Sequence, residues 1–393
     1  MKKFKSILAI ALALTLCLCL ALPAVAAEGD AAPAAYISKD LKIAAGTSNP
    51  EFTFKFVFTP DNGKSVGIVE GEHPELGASV TYTAKMADAG ENEVITLVTG
   101  NIIDGVKFPH AGVYAYTVKE TCDYKPVEGE TLINDTNEYM FYVYVINGKN
   151  DELIVDDIFI FDVAEDGEED AKISSTDDGT QGGKNTTDIN ENQDAMTNGF
   201  RFTNTYSKKA ETDPITPPGG GEPVVGSLVI SKDTVGEYAD RSKDFTFTLN
   251  VTRASTDYDS TAFSYIDAAG NPQTAPFGQD LVFTLHDDQY IVLKDVTAGA
   301  YYDVKEAYTA DYAASVDVDG KVTNGKEKED LAVTHVLIGE KGSNAAYTNT
   351  YSKEVIPPTG ISINNLPFLM LISVSALGLF VMFVSKKRRA EEA

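Results

Sequence analysis

Apolar and polar residues alternate in short runs along this chain. Their period of two is the one a β-strand imposes, because successive side chains point to opposite faces. Phe52-Thr-Phe-Lys-Phe-Val-Phe58 is the cleanest run, and Pro60-Asp-Asn-Gly63 then turns the chain. Val80–Thr83, Glu93–Val98, Val113–Glu120, Tyr139–Ile146 and Ile158–Val163 predict further strands in the first half. Leu228–Lys232, Phe245–Val251, Leu281–Leu285, Tyr290–Leu293, Tyr301–Glu306 and Ala345–Tyr351 predict them in the second half. Asp319-Gly320, set between apolar alternation, reads as a hairpin turn. Short strands with frequent turn residues and no convincing 3.6-residue period predict an all-β chain of antiparallel sandwiches.

The runs are organised as a divergent tandem repeat. Thr-Asn-Thr-Tyr-Ser-Lys occurs at Thr203–Lys208 and again at Thr348–Lys353. Ile-Ser-Lys-Asp opens each segment, at Ile37–Asp40 and Ile230–Asp233, and Val-Lys-Glu lies between, at Val118–Glu120 and Val304–Glu306. Phe-Thr-Phe follows each opening lysine by thirteen residues, at Phe52–Phe54 and Phe245–Phe247. Two sandwich domains follow, spanning 35–207 and 227–352. The Pro/Gly-rich stretch 208–226 reads as the linker between them. The acidic, Asn- and Gly-rich stretch Asp166–Asp194 reads as a solvated excursion before the last strand of the first domain.

Strand phase puts charges where they are costly. Lys39 shares a face with Ile37 and Leu41, and Lys232 shares one with Leu228 and Ile230. Glu120 shares a face with Tyr114, Tyr116 and Val118, and Glu306 shares one with Tyr302 and Val304. Asn204 lies between Phe202 and Tyr206, and Asn349 between Tyr347 and Tyr351. Each repeat thus sets one Lys, one Glu and one Asn on an apolar face, and Lys and Glu are seldom buried unpaired. One reading is a coincidence of phase, with the polar tips reaching out to a sheet edge. The other is a covalent bond. Burial lowers a lysine pKa and raises a glutamate pKa, so the pair exists as neutral amine and neutral acid. The amine can attack the Asn carboxamide while the acid polarises the carbonyl and shuttles the proton that lets ammonia leave.

These motifs, Ile-Ser-Lys in the first strand, Tyr-x-Val-x-Glu in the middle and Phe/Tyr-Thr-Asn-x-Tyr in the last, resemble those of the Gram-positive pilin isopeptide domains of the streptococcal backbone type. The resemblance implies an immunoglobulin-like (CnaB/pilin-type) sandwich in each repeat. It implies Lys39–Asn204 and Lys232–Asn349 bonds, with Glu120 and Glu306 as the acid–base groups. Lys42 is a rival nucleophile by position, but its odd offset from Lys39 puts it on the opposite face.

The ends of the chain carry two further signals. Residues 1–26 read as a secretory signal, with Lys2, Lys3 and Lys5 before an apolar stretch and a small-residue cleavage site between Ala26 and Ala27. Without them one cysteine remains, Cys122, so no intrachain disulfide can form. Cys122 reads as a small core hydrophobe. At the other end, 356–393 carries Ile356-Pro357-Pro358-Thr359-Gly360, an uncharged span over 366–384 and a Lys386-Lys387-Arg388-Arg389 tail. Such a span can cross a bilayer with the basic cluster inside. The pentapeptide resembles a sortase sorting motif. That resemblance implies cleavage between Thr359 and Gly360, a transient membrane hold, and attachment to peptidoglycan or to a neighbouring subunit.

Composition narrows the function classes. Lys and Arg number 32 against 59 Asp and Glu, a net charge of −27, which disfavours nucleic acid as a partner. His73, His110, His286 and His335 are scattered and show no metal spacing, so no metal or other cofactor is expected. No phosphate loop or serine elbow is present, and an enzyme acting on external substrate is not expected. The expectation is a secreted structural protein anchored to a Gram-positive cell wall: a sortase-polymerised pilus backbone subunit, or a wall-anchored adhesin or stalk meeting a host surface ligand. Polymerisation needs an acceptor lysine. Lys184 is the candidate, with Lys208 and Lys209 as alternatives.

Overall fold

The computed structural model describes residues 33–62, 67–85, 93–163, 169–175, 200–352, 371–377 and 379–382. The secretory signal with its Ala26–Ala27 cleavage site, Lys184, and Ile356 through Gly360 lie outside the described residues. Residues 371–377 and 379–382 are helical, and no described helix is long and apolar enough to cross a membrane.

Among the described residues the remaining regular elements are β-strands, with one short 3-10 turn. The first half contains β1 (Ser38–Ile43), β2 (Phe52–Pro60), β3 (Gly77–Tyr82), β4 (Glu93–Val98) and β5 (Gly112–Cys122). It continues with β6 (Glu130–Ile133), β7 (Glu138–Asn147), β8 (Leu153–Val163), β9 (Glu169–Ser175) and β10 (Arg201–Lys208). These form two sheets, ordered β4-β1-β10-β6 and β3-β2-β5-β7-β8-β9. Their facing sides enclose one apolar cluster that includes Phe52, Phe54, Phe56, Tyr116, Phe141, Phe202 and Tyr206.

The second half contains β11 (Leu228–Val235), β12 (Phe245–Thr252), β13 (Ala262–Ile266), β14 (Pro272–Pro276), β15 (Leu281–Leu285) and β16 (Tyr290–Lys294). It ends with β17 (Ala300–Glu306), β18 (Tyr312–Val318), β19 (Lys321–Asn324), β20 (Leu331–Ile338) and β21 (Ser343–Tyr351). The sheets here are β14-β13-β16-β11-β21-β18-β19 and β15-β12-β17-β20, around a separate cluster that includes Phe245, Phe247, Tyr302 and Tyr347. Asp319 (φ 50°) and Gly320 (φ 88°) make the two-residue link between β18 and β19, a conformation that favours Asp-Gly.

In each half the first strand pairs with the last, and in parallel. β1 lies beside β10 with Leu41 opposite Asn204, and β11 beside β21 with Thr234 opposite Asn349. The neighbouring pairs are antiparallel, so each domain is a mixed sandwich rather than the purely antiparallel one the alternation suggests. Side-chain alternation carries no information about strand direction, which comes from the long connections instead.

Three further differences from the sequence expectation have physical causes. Glu169–Ser175, inside the stretch expected to be solvated, is a strand on the edge of β8. An open edge offers unpaired backbone N–H and C=O groups and can recruit a polar strand without burying it. The Pro/Gly stretch is docked rather than free. Ala210 is buried in the second core, its N–H donates to Val296 O at 2.8 Å, and Thr212 N–H donates to Gly226 O at 2.8 Å. The two phenylalanine ladders are also offset by two residues. Phe56 packs on Phe202 and Phe247 on Tyr347, both at 5.1 Å between ring centroids. Phe56, not Phe54, is therefore the counterpart of Phe247, the chain from Lys39 to Phe56 being two residues longer than that from Lys232 to Phe247.

The domains meet at the corner that follows β1. Glu340 N–H donates to Gly46 O at 2.9 Å, Ser48 Oγ donates to Glu340 Oε2 at 2.8 Å, and Lys208 Nζ lies 3.6 Å from the same carboxylate oxygen. Gly299 (φ 93°) packs so close that an added Cβ would lie 2.3 Å from Ala44 Cβ.

Candidate functional site

Each domain buries one lysine, one glutamate and one asparagine between its sheets. β1 carries Lys39 and β10 carries Asn204 on one sheet, while β5 brings Glu120 from the facing sheet. In the second domain β11 and β21 carry Lys232 and Asn349, and β17 brings Glu306. The register is common to both. The residue opposite the lysine is Phe202 or Tyr347, and the asparagine comes two positions later, on the same face. The glutamates face Phe56 and Phe247 across the ladders of the other sheet.

In the first site Lys39 Nζ lies 2.9 Å from Glu120 Oε2, and neither side chain is more than 1 % exposed. The ammonium group also meets Asn204 Oδ1, and donates to Asp40 O at 3.2 Å. Asn204 Nδ2 donates to Asn134 Oδ1 at 3.1 Å, and Asp135 N–H donates to Asn204 Oδ1 at 3.3 Å. The Phe54 ring centroid is 4.4 Å from Nζ. Lys42, the rival, is exposed.

The second site has the same members in another arrangement. Lys232 Nζ lies 3.3 Å from Glu306 Oε1, and Asn349 Nδ2 donates to that same oxygen at 2.6 Å. Lys232 Nζ, Glu306 Oε2 and Asn349 Oδ1 are buried without a hydrogen-bond partner. The Phe245 ring centroid is 4.3 Å from Nζ.

Burial sets the protonation chemistry. Loss of water lowers the Lys39 amine below its ordinary value, although the Glu120 charge pulls the other way. Desolvation likewise brings Lys232 down to about 8, opposed by Glu306. Both carboxyls move up, with burial again the largest cause. The four shifts favour neutral amine beside neutral acid, the form in which an amine is nucleophilic and a carboxyl can donate a proton.

Sequence reasoning places the six side chains and misses Asn134 and Asp135. These two lie in the β6–β7 connection, where strand phase offers no signal, and only the pairing of β6 with β10 brings them to Asn204. Cys122 is half-buried at the edge of the first core, where burial raises its thiol pKa. Asp233, Asp287 and Asp288 cluster among the described residues, but Asp287 already accepts from Arg241 Nη1 at 2.7 Å and from Thr234 N–H at 2.6 Å.

A family described as a domain of unknown function (DUF7601) matches residues 226–351. The pilus tip adhesin Cpa of Streptococcus pyogenes is 30% identical over 144 residues, covering 36% of this chain and 18% of that protein. The match thus spans less than a fifth of the relative's length. The major pilin of Streptococcus pyogenes aligns over 82% of this chain and 100% of its own, with 21% identity and a TM-score of 0.34. A pilus-presented adhesin structure (Cpa) aligns over 81% of this chain and 100% of its own, with 11% identity and a TM-score of 0.25.

Proposed function

We propose that this Gram-positive pilin-type protein is a structural subunit of a cell-surface pilus, with a Lys39–Asn204 bond in one domain and a Lys232–Asn349 bond in the other. The observation that carries the reading is the convergence, twice in one chain, of a buried lysine, glutamate and asparagine on the first, middle and last strands. The neutral Lys Nζ adds to the Asn carboxamide carbon. The Glu carboxyl polarises the carbonyl and passes the proton to the departing nitrogen, and ammonia leaves. The chain modifies only itself, once, and needs no cofactor.

Each bond ties the first strand of a domain to its last, closing spans of 165 and 117 residues (39 to 204 and 232 to 349). Treated as a disulfide would be, each closure stabilises by about 5 kcal/mol through the lost freedom of the unfolded chain. That replaces the staple the cysteine content does not provide. Sortase processing completes the reading. Thr359 is transferred from Gly360 to a lysine of a neighbouring subunit, with Lys184 as the acceptor, or to peptidoglycan.

A second reading is a wall-anchored adhesin or stalk that does not polymerise. The 144-residue match to a tip adhesin favours it. The intact mass of residues 27–359 tests the chemistry, because each bond removes one ammonia, about 17 Da. A deficit of two ammonias is expected. A full, unmodified mass leaves the binding protein as the better account. Sortase treatment separates the two structural roles, since only a polymerising subunit forms a ladder of multimers.

A further inference from the structure

We propose that the Asn134–Asp135 corner is part of the reacting centre of the first domain, holding the Asn204 carboxamide for attack by Lys39, and that the second domain, with Ala314 in the corresponding place, forms its bond more slowly. This inference rests on the Lys–Asn reaction of the preceding section and deepens it.

The register makes the two positions equivalent. The β6–β10 ladder ends at Ile133 opposite Thr205, and one step further along it Asn134 faces Asn204. In the second domain β18 occupies the place of β6, and Ala314 stands opposite Asn349. Directly opposed residues of an antiparallel pair share a face, so both side chains lie on the same side of their sheet as the asparagine. Asn134 has a carboxamide oxygen to offer and uses it, accepting from Asn204 Nδ2 at 3.1 Å. Ala314 has none.

The corner also supplies a donor. Asp135 N–H points at Asn204 Oδ1 from 3.3 Å, and the Asp135 carboxylate fixes that geometry from behind. Its Oδ2 accepts from Thr203 N–H at 2.5 Å and its Oδ1 from Asn137 N–H at 2.7 Å. One amide donor on the oxygen and one acceptor on the nitrogen leave the Asn204 carboxamide a single orientation.

That orientation is the one the reaction needs. When the Lys39 Nζ lone pair adds to the Asn204 carbonyl carbon, the carbonyl π pair moves onto Oδ1, and the Asp135 N–H stabilises the charge that develops there. A proton leaves Nζ and reaches Nδ2 by way of the Glu120 carboxyl. The Oδ1 pair re-forms the carbonyl, the bond from carbon to Nδ2 breaks, and ammonia departs. One carbon–nitrogen bond forms, one breaks, and no electrons are exchanged with another group.

The second domain begins from a less favourable arrangement. Asn349 Oδ1, the oxygen on which charge develops, has no partner among the described residues, whereas Asn204 Oδ1 takes the Asp135 N–H. Glu306 and Asn349 instead line a cavity of about 540 Å³ together with Tyr312, Ala314 and Leu331. The cavity leaves room at Ala314 for a larger side chain.

The test is a time course on the full chain. It is synthesised cell-free in mild detergent, quenched in acid, and read by mass spectrometry of the Lys39–Asn204 and Lys232–Asn349 cross-linked peptides. The first peptide is expected to accumulate about a hundredfold faster or more, the scale on which an oriented oxyanion donor acts. Asn134→Ala should slow the first bond by about tenfold and leave the second unchanged. Asn134→Asp, which keeps the acceptor oxygen, should restore most of the rate. Ala314→Asn should accelerate the second bond, and this arm stands even if Asn134→Ala fails to fold. Equal rates in the two domains, together with indifference to Asn134→Ala and Ala314→Asn, would overturn the inference while leaving the Lys–Asn reaction intact. A wild-type chain that forms neither peptide removes the underlying reaction itself.

Discussion

Lys232 Nζ stands 3.3 Å from Glu306 Oε1 with neither side chain more than 1 % exposed. An amine and an acid so placed are poised by the loss of water more than by each other, and burial holds the lysine down to about 8. The rate of the second bond is therefore expected to climb as pH rises through about 8, as the neutral amine accumulates. Peptide mass spectrometry at a series of pH values measures it, and a rate that falls over this limb contradicts the proposed nucleophile.

The same shift has a stability consequence where no bond can form. In an Asn349→Ala, Glu306→Gln double variant, Lys232 remains a free amine whose folded value lies below the about 8 of the intact site, because Glu306 no longer raises it, against 10.5 unfolded. The unfolded chain then binds more protons between those values, so stability rises with pH across that window and is lost as pH falls through the folded value. Denaturant titrations across the window should show the rise, and a flat profile would mean the amine is not desolvated. Glu306, present in Asn349→Ala alone, acts with the opposite sign. Its carboxyl is raised, so its contribution is full below 4.5 and is lost as pH climbs through the higher folded value.

Glu120→Gln keeps the shape of the first site and removes its acid. One ammonia of mass loss should disappear while the second bond persists. The first domain should also lose about 5 kcal/mol with the open chain, the value of the missing closure. Intact mass and a guanidinium unfolding curve measure both. A normal two-ammonia deficit in this variant would show that Glu120 is not needed.

Phe245 tests the role of dryness. Its ring lies 4.3 Å from Lys232 Nζ and helps to exclude water from that amine. Phe245→Leu should cost on the order of 1 kcal/mol through lost packing. It should also slow the second bond at neutral pH, by letting the amine return toward its ordinary value. The rate at high pH should recover, and a deficit that persists there would point to lost geometry instead.

Glu340 tests the contact between domains. Its carboxylate takes Ser48 Oγ at 2.8 Å and lies 3.6 Å from Lys208 Nζ, on the partly exposed seam. Glu340→Ala should leave each domain's unfolding within about 1 kcal/mol of wild type, the range of such exposed pairs. It should broaden the distribution of interdomain angles seen by residual dipolar couplings or small-angle scattering. An unchanged distribution would mean that the backbone bond from Glu340 N–H to Gly46 O and the Gly299–Ala44 packing hold the corner alone.

Much of the candidate site is legible because a strand has a period of two. Lys39, Glu120 and Asn204 each interrupt an apolar face, and only a few faces are available to enclose them. The meeting of the three is a tertiary fact, but each phase is local. The Phe54 and Phe245 equivalence was hidden because β2 begins four residues before the phenylalanine that faces the glutamate and β12 only two, so equal spacing from the lysine does not mean equal register. The strand β9 was hidden because Glu169–Ser175 forms by pairing with an exposed edge, which leaves no apolar alternation behind. Asn134 and Asp135 were hidden because a polar pair in a connection looks like any other turn until the neighbouring strand is known. The parallel pairing of first and last strands is likewise invisible to side-chain periodicity.

That parallel pairing has a mechanical consequence. β1 and β10 run the same way along a six-pair register, and β11 and β21 along an eight-pair register. A pull on the chain before the first strand and after the last strains every rung of the ladder at once, in shear. An antiparallel hairpin pulled at its two adjacent ends would instead unzip one rung at a time. Even before any covalent bond forms, each domain meets a stretching force with its whole ladder, and the buried lysine and asparagine sit two rungs apart on the strands that bear it.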